Sequence, residues 1–566
     1  MNNKKLSLNN AFVLAVRNHQ KNNLKDAVKL YMEILKIDPN HTRTINNLSI
    51  LLRDTKLNYI TQIDRVIVKE LLLLLFRRTD IDHKDIFLIT RFLLFNEKNF
   101  TQEKIKKIIN ADSLLLKNEI IRNLLKEELF LLMLQKSLVV DHLLEKMLTK
   151  IRYEIFLNLI DSNQNILKEH FDFIISLAEQ CFLNEYIYAQ QEKEINYINK
   201  LKNSLENNEK INEIEIVILG CYLPLYCSES ITNKLLNYKS TNILFNDFIT
   251  MQVKEPLKEK KMINIIKSYG KISNIVSKKV RDQYEQNPYP RWRYTYTNTP
   301  TNFITIINNQ IKPNKIKHSK KFDNPNILIA GCGTGRQIIL AENYLNASIL
   351  GVDLSLSSLA YAKRKTEELN FKNIKFLHAD ILQLKNLNKK FDVIECVGVL
   401  HHMNDPLKGL RILINLLEPH GLLRLGLYSE FARQDVIRIR EFIKKNKLKN
   451  TTEDIRNCRK VIADKEENKL LQKLLYRKDF YSISSARDLM FHVKEHRFTL
   501  KQLSKILKNL NLEFLGFTDI SVKSKFSKLF PKDKNNISLD NWNQFEKDNT
   551  ETFMGMYNFI VRRKIN

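Results

Sequence analysis

No apolar run in this sequence is long enough to cross a membrane. The densest, Leu71–Phe76, is closed at once by Arg77 and Arg78, whereas a spanning helix needs about 20 apolar residues. The N-terminus lacks the apolar stretch and small-residue cleavage site of a secretory leader. The six cysteines stand singly, the nearest two being Cys221 and Cys227, so the spacing supports neither a zinc knuckle nor a disulfide framework. These absences predict a cytoplasmic protein with no membrane partner. Chain breakers are scarce too. Only two of twelve glycines (Gly220, Gly270) and three of eleven prolines (Pro39, Pro224, Pro256) precede residue 287. A stretch so poor in breakers and rich in Leu, Ile, Lys and Glu is expected to be almost entirely helical.

What is abundant is basic charge. The net charge of +29 invites a nucleic-acid partner, because clustered Lys and Arg neutralise phosphates. Here the basic residues are dispersed, Lys, Asn and Ile being raised everywhere, and the densest run, 312–321, reads as a solvated linker. At 566 residues the chain exceeds one hydrophobic core. Segments such as Ile63–Leu75 and Ile105–Leu125 place apolar residues at helical spacing. Beyond residue 320 the texture changes to short apolar runs bounded by Gly, Asp and Asn, alternating with helical stretches, as in a doubly wound parallel sheet.

Residues 11–39 set Leu14 and Ala15 on one helix and Ala27, Tyr31 and Ile34 on the next, ending in Asp38-Pro39. This resembles a tetratricopeptide repeat, in which small residues let two helices approach closely. A second unit begins at Ile45, Leu48 and Ser49 and then loses the pattern. An ordinary helical hairpin is the alternative. Such units need neighbours, so the hairpin is expected to stack on the helices that follow.

The strand Asn326–Ala330 delivers Gly331, Cys332, Gly333, Thr334 and Gly335, followed by a helix over Arg336–Tyr344. Glycine-rich strand-to-helix turns serve both dinucleotides and other adenosine ligands. A dinucleotide turn puts its third glycine where this chain has Arg336, so that reading is disfavoured. Strand Ser348–Asp353 ends in an acid suited to ribose hydroxyls. Helix Leu356–Leu369 and strand Ile374–His378 lead to Asp380, suited to an adenine amine, with Ile381 to pack on the ring. Strand Phe391–Cys396, the loop 397–406, helix Leu407–Leu417 and strand Gly421–Leu427 complete the pattern. Glu513–Thr518 and Met556–Arg562 are expected as sixth and seventh strands, the last antiparallel.

The block Ile327–Tyr428 resembles class I S-adenosylmethionine (SAM)-dependent methyltransferases through Gly331–Gly335, Asp353, Asp380 and the segment Val399–Pro406. Tyr284–Trp292, Gln180–Tyr186, Gly426–Asp435 and Phe491–Leu500 resemble blocks of bacterial proteins that join tetratricopeptide repeats to such an enzyme. The resemblance implies a cofactor, S-adenosyl-L-methionine, held by residues 331–335, Asp353, Leu354, Asp380, Ile381 and Val397. One departure is Ile329, where many of these enzymes have an acid. The organisation expected is a repeat-like hairpin over 5–55, an all-helical domain over 56–275, a linker or lid over 276–321, and a Rossmann-like methyltransferase domain over 322–566. The domain would carry a seven-stranded sheet and a helical insertion at about 428–510.

Methyl transfer is an in-line displacement that needs alignment and exclusion of water, with a base only when the nucleophile arrives protonated. His401, His492, Glu495 and His496 are the candidates for the chemistry, against a plain packing role for His401 and His402; residues 492–496 are expected to line the acceptor pocket, with a plain interdomain salt-bridge network over Phe480–Leu500 as the alternative. Tyr289 and Trp292 would form an aromatic lid or an interdomain clasp. Residues 492–496 also spell H-x-x-E-H, two histidines a helical turn apart as in zinc hydrolases. No third ligand is evident and no metal is expected. The leading reading is a methyltransferase whose helical half recruits a protein or peptide; RNA methylation and a non-catalytic SAM-binding scaffold are the alternatives.

Overall fold

In the computed structural model, the described residues are 7–54, 63–97, 100–111, 114–296, 299–317, 319–464 and 469–564. The expected boundary at residues 55 and 56 lies outside them. The chain divides into two compact units, Met1–Pro256 with Trp292–Asn298, and Leu257–Arg291 with Thr299–Asn566. Among the described residues no helix is long and apolar enough to cross a membrane.

Among its described residues, the first unit is built of helices and one two-residue pairing of Asn96–Glu97 with Phe100–Thr101. Its opening hairpin, Leu8–Gln20 and Leu24–Ile37, buries Ala15, Ala27, Tyr31 and Ile34. Leu14, expected on the packing face, is exposed, and Phe12 is buried in that helix instead. The expected continuous helical face over Ile105–Leu125 is broken into Gln102–Asn110, a 3-10 turn Leu115–Lys117 and Glu119–Leu125. The buried Glu154 carboxylate explains the break, accepting from Leu115 N and Leu116 N at 2.7 and 2.8 Å. Asn118 then caps the next helix through Ile121 N.

The second unit is built on one mixed sheet of eight strands rather than seven. The strands are β1 (Lys267–Ser268), β2 (Asn326–Ala330), β3 (Ser348–Asp353), β4 (Ile374–His378), β5 (Phe391–Val397), β6 (Leu417–Leu427), β7 (Leu512–Phe517) and β8 (Tyr557–Arg563). Their order is β1-β4-β3-β2-β5-β6-β8-β7, with β8 antiparallel to both neighbours. The extra strand is β1, a two-residue edge that pairs in parallel with β4 and is too short to leave a periodic signal. The strand β6 begins at Leu417 rather than Gly421.

Alternate residues of β2 feed opposite faces, as strand geometry requires. Leu328 and Ala330 join one core with Ile394, Leu423 and Trp542; Ile327 and Ile329 join the other with Ile338, Phe303 and Ile560. Ile329 is therefore a core residue. The run 312–321 is not a free linker: Asn314 Nδ2 donates to Leu515 O and Asn535 O at 2.9 and 2.8 Å, and Lys523 Nζ donates to Lys312 O at 3.0 Å. The insertion between β6 and β7 packs as helices, among them Gln434–Lys445, Thr452–Asp464 and Ile483–Phe491.

Candidate active site

The three glycines of the turn after β2 all have positive φ: 80° at Gly331, 50° at Gly333 and 88° at Gly335. At Gly333 an added Cβ would lie 2.8 Å from the Tyr289 carbonyl oxygen. Thr334 Oγ1 donates to the Pro290 carbonyl. The segment 284–291 thus lies directly on the turn. Its Glu285 carboxylate accepts from Leu356 N (2.6 Å), Ser357 N (3.0 Å) and Ser357 Oγ (2.5 Å), at the start of the helix that follows β3. A carboxylate suits that positive helix end.

Asp353 closes β3 and accepts from Gly333 N at 2.8 Å and Ser355 N at 3.0 Å. Burial pushes its carboxyl up to about 6 against the backbone donors of Ser355, Gly333 and Leu354, with Glu285 adding to the rise. Asp380 is buried and caps a 3-10 turn through Leu382 N. Ile381 is the first residue of that turn and is buried, and Val397 ends β5. His378, at the end of β4, is held by Leu354 O and Ser268 Oγ, both 2.9 Å away. The carboxylates of Asp353 and Asp380 thus stand at the C-terminal edge of adjacent parallel strands, where doubly wound sheets bind ligands. A half-buried carboxylate that keeps acceptor capacity beyond its backbone donors, beside glycine backbone, fits the ribose of an adenosine cofactor.

A second cluster adjoins the loop after β5. His401 is fully buried, stacks on Tyr428 at 3.7 Å, and has no hydrogen-bond partner at either ring nitrogen. Burial holds it well below the usual histidine range and lowers His402 to about 4, so both rings are neutral at physiological pH. The His402 ring stacks on His492 at 3.5 Å, and its Nδ1 donates to Lys494 O at 2.7 Å. Tyr284 Oη donates to Asp488 Oδ1 at 2.6 Å and lies 3.2 Å from His492 Nε2. Tyr289 Oη donates to Asp479 Oδ1 at 3.3 Å.

The H-x-x-E-H residues are not helical: the helix Ile483–Phe491 stops before His492, whose carbonyl is taken by Arg440 Nη2 at 2.5 Å. Glu495 is committed to Arg433 by two bonds of 2.7 and 3.1 Å. Burial would raise its carboxyl, but Arg433 and Arg440 outweigh it and hold it below the usual range. His496 Nε2 faces Met403 O at 3.0 Å. The histidines therefore do not converge on one ion. A different trio, His402, Asp488 and His492, does bring one potential ligand atom each within 4.8 Å of one another. Lys494 N donates to His492 Nδ1 at 3.2 Å, which puts the proton of the neutral ring on Nε2 and removes that nitrogen as a metal ligand. The trio does not fit a metal.

Of the residues singled out from sequence, the fold brings His401, His492, Glu495 and His496 to one cluster. Tyr289 belongs to the second unit and Trp292 to the first. Tyr428 and Arg433 lie in the resembling block Gly426–Asp435 without having been singled out there, and Asp488 lies in the insertion without a recognisable spacing.

Residues 321–479 match the family model of a methyltransferase domain. An uncharacterized protein of Synechococcus sp. is 29% identical over 205 residues, 34% of this chain and 49% of the relative. The ubiquinone biosynthesis O-methyltransferase of Coxiella burnetii is 30% identical over 118 residues, 20% of this chain and 49% of that enzyme. The solved structure of PKMT2 from Rickettsia typhi is similar over 48% of this chain and 55% of that one, at 19% identity and a TM-score of 0.38. The chain spans about half the length of these curated relatives.

Proposed function

We propose that the chain is a class I SAM-dependent methyltransferase whose helical N-terminal half recruits a protein or peptide acceptor. The observation that carries the reading is Asp353, a half-buried carboxylate at the end of β3 bonded to Gly333 of the glycine turn. Asp380 one strand over and the methyltransferase-domain match over 321–479 support the same cofactor. The bound cofactor supplies an activated methyl group. This chain's part is to hold the adenosine at Asp353 and Asp380 and to place the acceptor beside the loop after β5. The buried rings of His401, His402 and Tyr428 keep water from that loop. The close-packed opening hairpin, with Ala15 and Ala27 buried, supports a repeat-like recruiting surface.

Incubating the full chain with tritiated SAM and a lysate tests this directly. Protease-sensitive, ribonuclease-resistant label that disappears with Asp353→Ala is the expected result. Label confined to small metabolites would sink the protein acceptor, ribonuclease-sensitive label would favour RNA, and SAM binding without any transfer would leave a scaffold.

A further inference from the structure

The segment 284–291 serves two places at once. Glu285 and the carbonyls of Tyr289 and Pro290 hold the cofactor side, at the helix after β3 and the glycine turn. Tyr284, one residue before, meets the insertion, donating to Asp488 Oδ1 at 2.6 Å. Proton positions in this second contact follow from the partners. Lys494 N–H is aimed at His492 Nδ1, so the neutral His492 ring carries its hydrogen on Nε2, 3.2 Å from Tyr284 Oη. Tyr284 accepts that hydrogen and commits its own to Asp488. One lone pair of the phenol oxygen is left over. The chain of hydrogen bonds has one direction and ends on Asp488.

We propose that Tyr284 and Asp488 are the proton-accepting pair of the methyl transfer, and that the acceptor is an N–H or O–H nucleophile. The proposal rests on the methyltransferase reading above. As the acceptor atom bonds to the methyl carbon, the C–S bond breaks and its electron pair stays on sulfur. The acceptor's proton passes to Tyr284 Oη while the phenol proton passes to Asp488 Oδ1. A thioether or other acceptor without such a proton would give the pair nothing to do. His492 holds the phenol in place, and the His402 ring stacked on it, tied to Lys494 O, holds His492; both are positioning residues.

The surroundings of Asp488 agree with this role. Tyr284, Tyr289, Tyr428, Asp479, Arg433, Arg440, Glu495, His402 and His492 are the titratable or charged groups around it. Burial pushes the Asp488 carboxyl up to about 7; Asp479 and Glu495 add to the rise, and the Tyr284 bond and Arg433 oppose it. A base in that range is ionised in part and still basic at neutral pH, the condition for efficient proton transfer.

The test compares wild type, Asp488→Asn and Tyr284→Phe for tritium transfer from SAM to lysate protein across about pH 6 to pH 9. Calorimetric binding of S-adenosylhomocysteine serves as a check on folding. Infrared difference spectra, wild type minus Asp488→Asn, follow the carboxyl band without any acceptor. Expected are an infrared midpoint near 7, a wild-type rate limb with that midpoint, and a loss of ~10²–10⁴-fold in both variants at neutral pH that shrinks as pH rises. Cofactor binding should be unchanged. A merely structural role would lower the rate equally at every pH. A labelling wild type whose variants keep the rate and the limb, or a carboxyl band with no midpoint in the range, would overturn this assignment alone. A wild type that transfers label neither to lysate protein nor to any other lysate component would overturn the methyltransferase reading, and this proposal with it.

Discussion

Replacing Asp353 by alanine removes the acceptor of two backbone hydrogens, Gly333 N–H at 2.8 Å and Ser355 N–H at 3.0 Å. It also removes the group that meets the cofactor's ribose hydroxyls in the proposed site. A hydrogen bond to a charged group contributes about 1.5–3 kcal/mol. Two of them convert to a rise of about 10²–10⁴ in the Kd of S-adenosylhomocysteine. Isothermal titration calorimetry on the full chain reads this directly. The same carboxyl has a pH signature. It ionises at about 6 in the free protein, and the hydroxyl donors favour its charged form. Wild-type affinity should therefore rise with pH, by about tenfold between about pH 5 and pH 7, and level off above. Asp353→Asn should show no such rise. A Kd that moves less than about threefold in Asp353→Ala, or a wild type with flat pH dependence, would refute the assignment of Asp353 to the cofactor.

Three further outcomes follow from the packing. Glu546 is fully buried with its oxygens on Ser429 Oγ and Tyr557 Oη, and burial lifts its carboxyl to about 7. Its ionisation therefore opposes folding, with no penalty below the unfolded value and about 3 kcal/mol of cost once pH exceeds the folded value. Glu546→Gln should melt higher than wild type at about pH 8 and lose that advantage by about pH 5; a loss at both would contradict the argument. Gly335→Ala forces a Cβ to 2.9 Å from the Ala362 Cβ at a φ of 88°, and should cost at least about 2 kcal/mol in urea denaturation. Glu285→Ala strips three hydrogen bonds from residues 356–357. It should cost about 1–2 kcal/mol and speed proteolytic cleavage within 284–291.

The cofactor half of the proposed site was legible because each of its parts is local. The strands β2, β3 and β4 run where the apolar runs predict, and Gly331–Gly335, Asp353 and Asp380 follow within a few residues of their ends. The other half was not. Tyr284 and Asp488 are 204 positions apart and share no pattern. The H-x-x-E-H reading assumed helical spacing, yet Arg440 takes the carbonyl of His492 and Arg433 takes Glu495. Tertiary partners there override the local period. Over Ile105–Leu125 the same thing happened through Glu154, a residue far along the chain whose carboxylate rewards a bend that no local propensity announces.

The insertion after β6 leaves and returns through one narrow neck. Ser429 pairs with Phe498, Glu430 N donates to Phe498 O, and Phe498 N donates to Tyr428 O, both at 2.9 Å. A loop whose two ends are stitched together places almost no demand on what lies between, since closure entropy grows only slowly with length. The residues between can change without moving β6 against β8, except where they bond outward, as Asp488 does to Tyr284 and Lys494 to His402. Asp479, Asp488 and Arg433 sit in that insertion, and Asp353 and the glycine turn do not. In the proposed enzyme, a change within the insertion would alter the acceptor side and leave the donor side at Asp353 untouched.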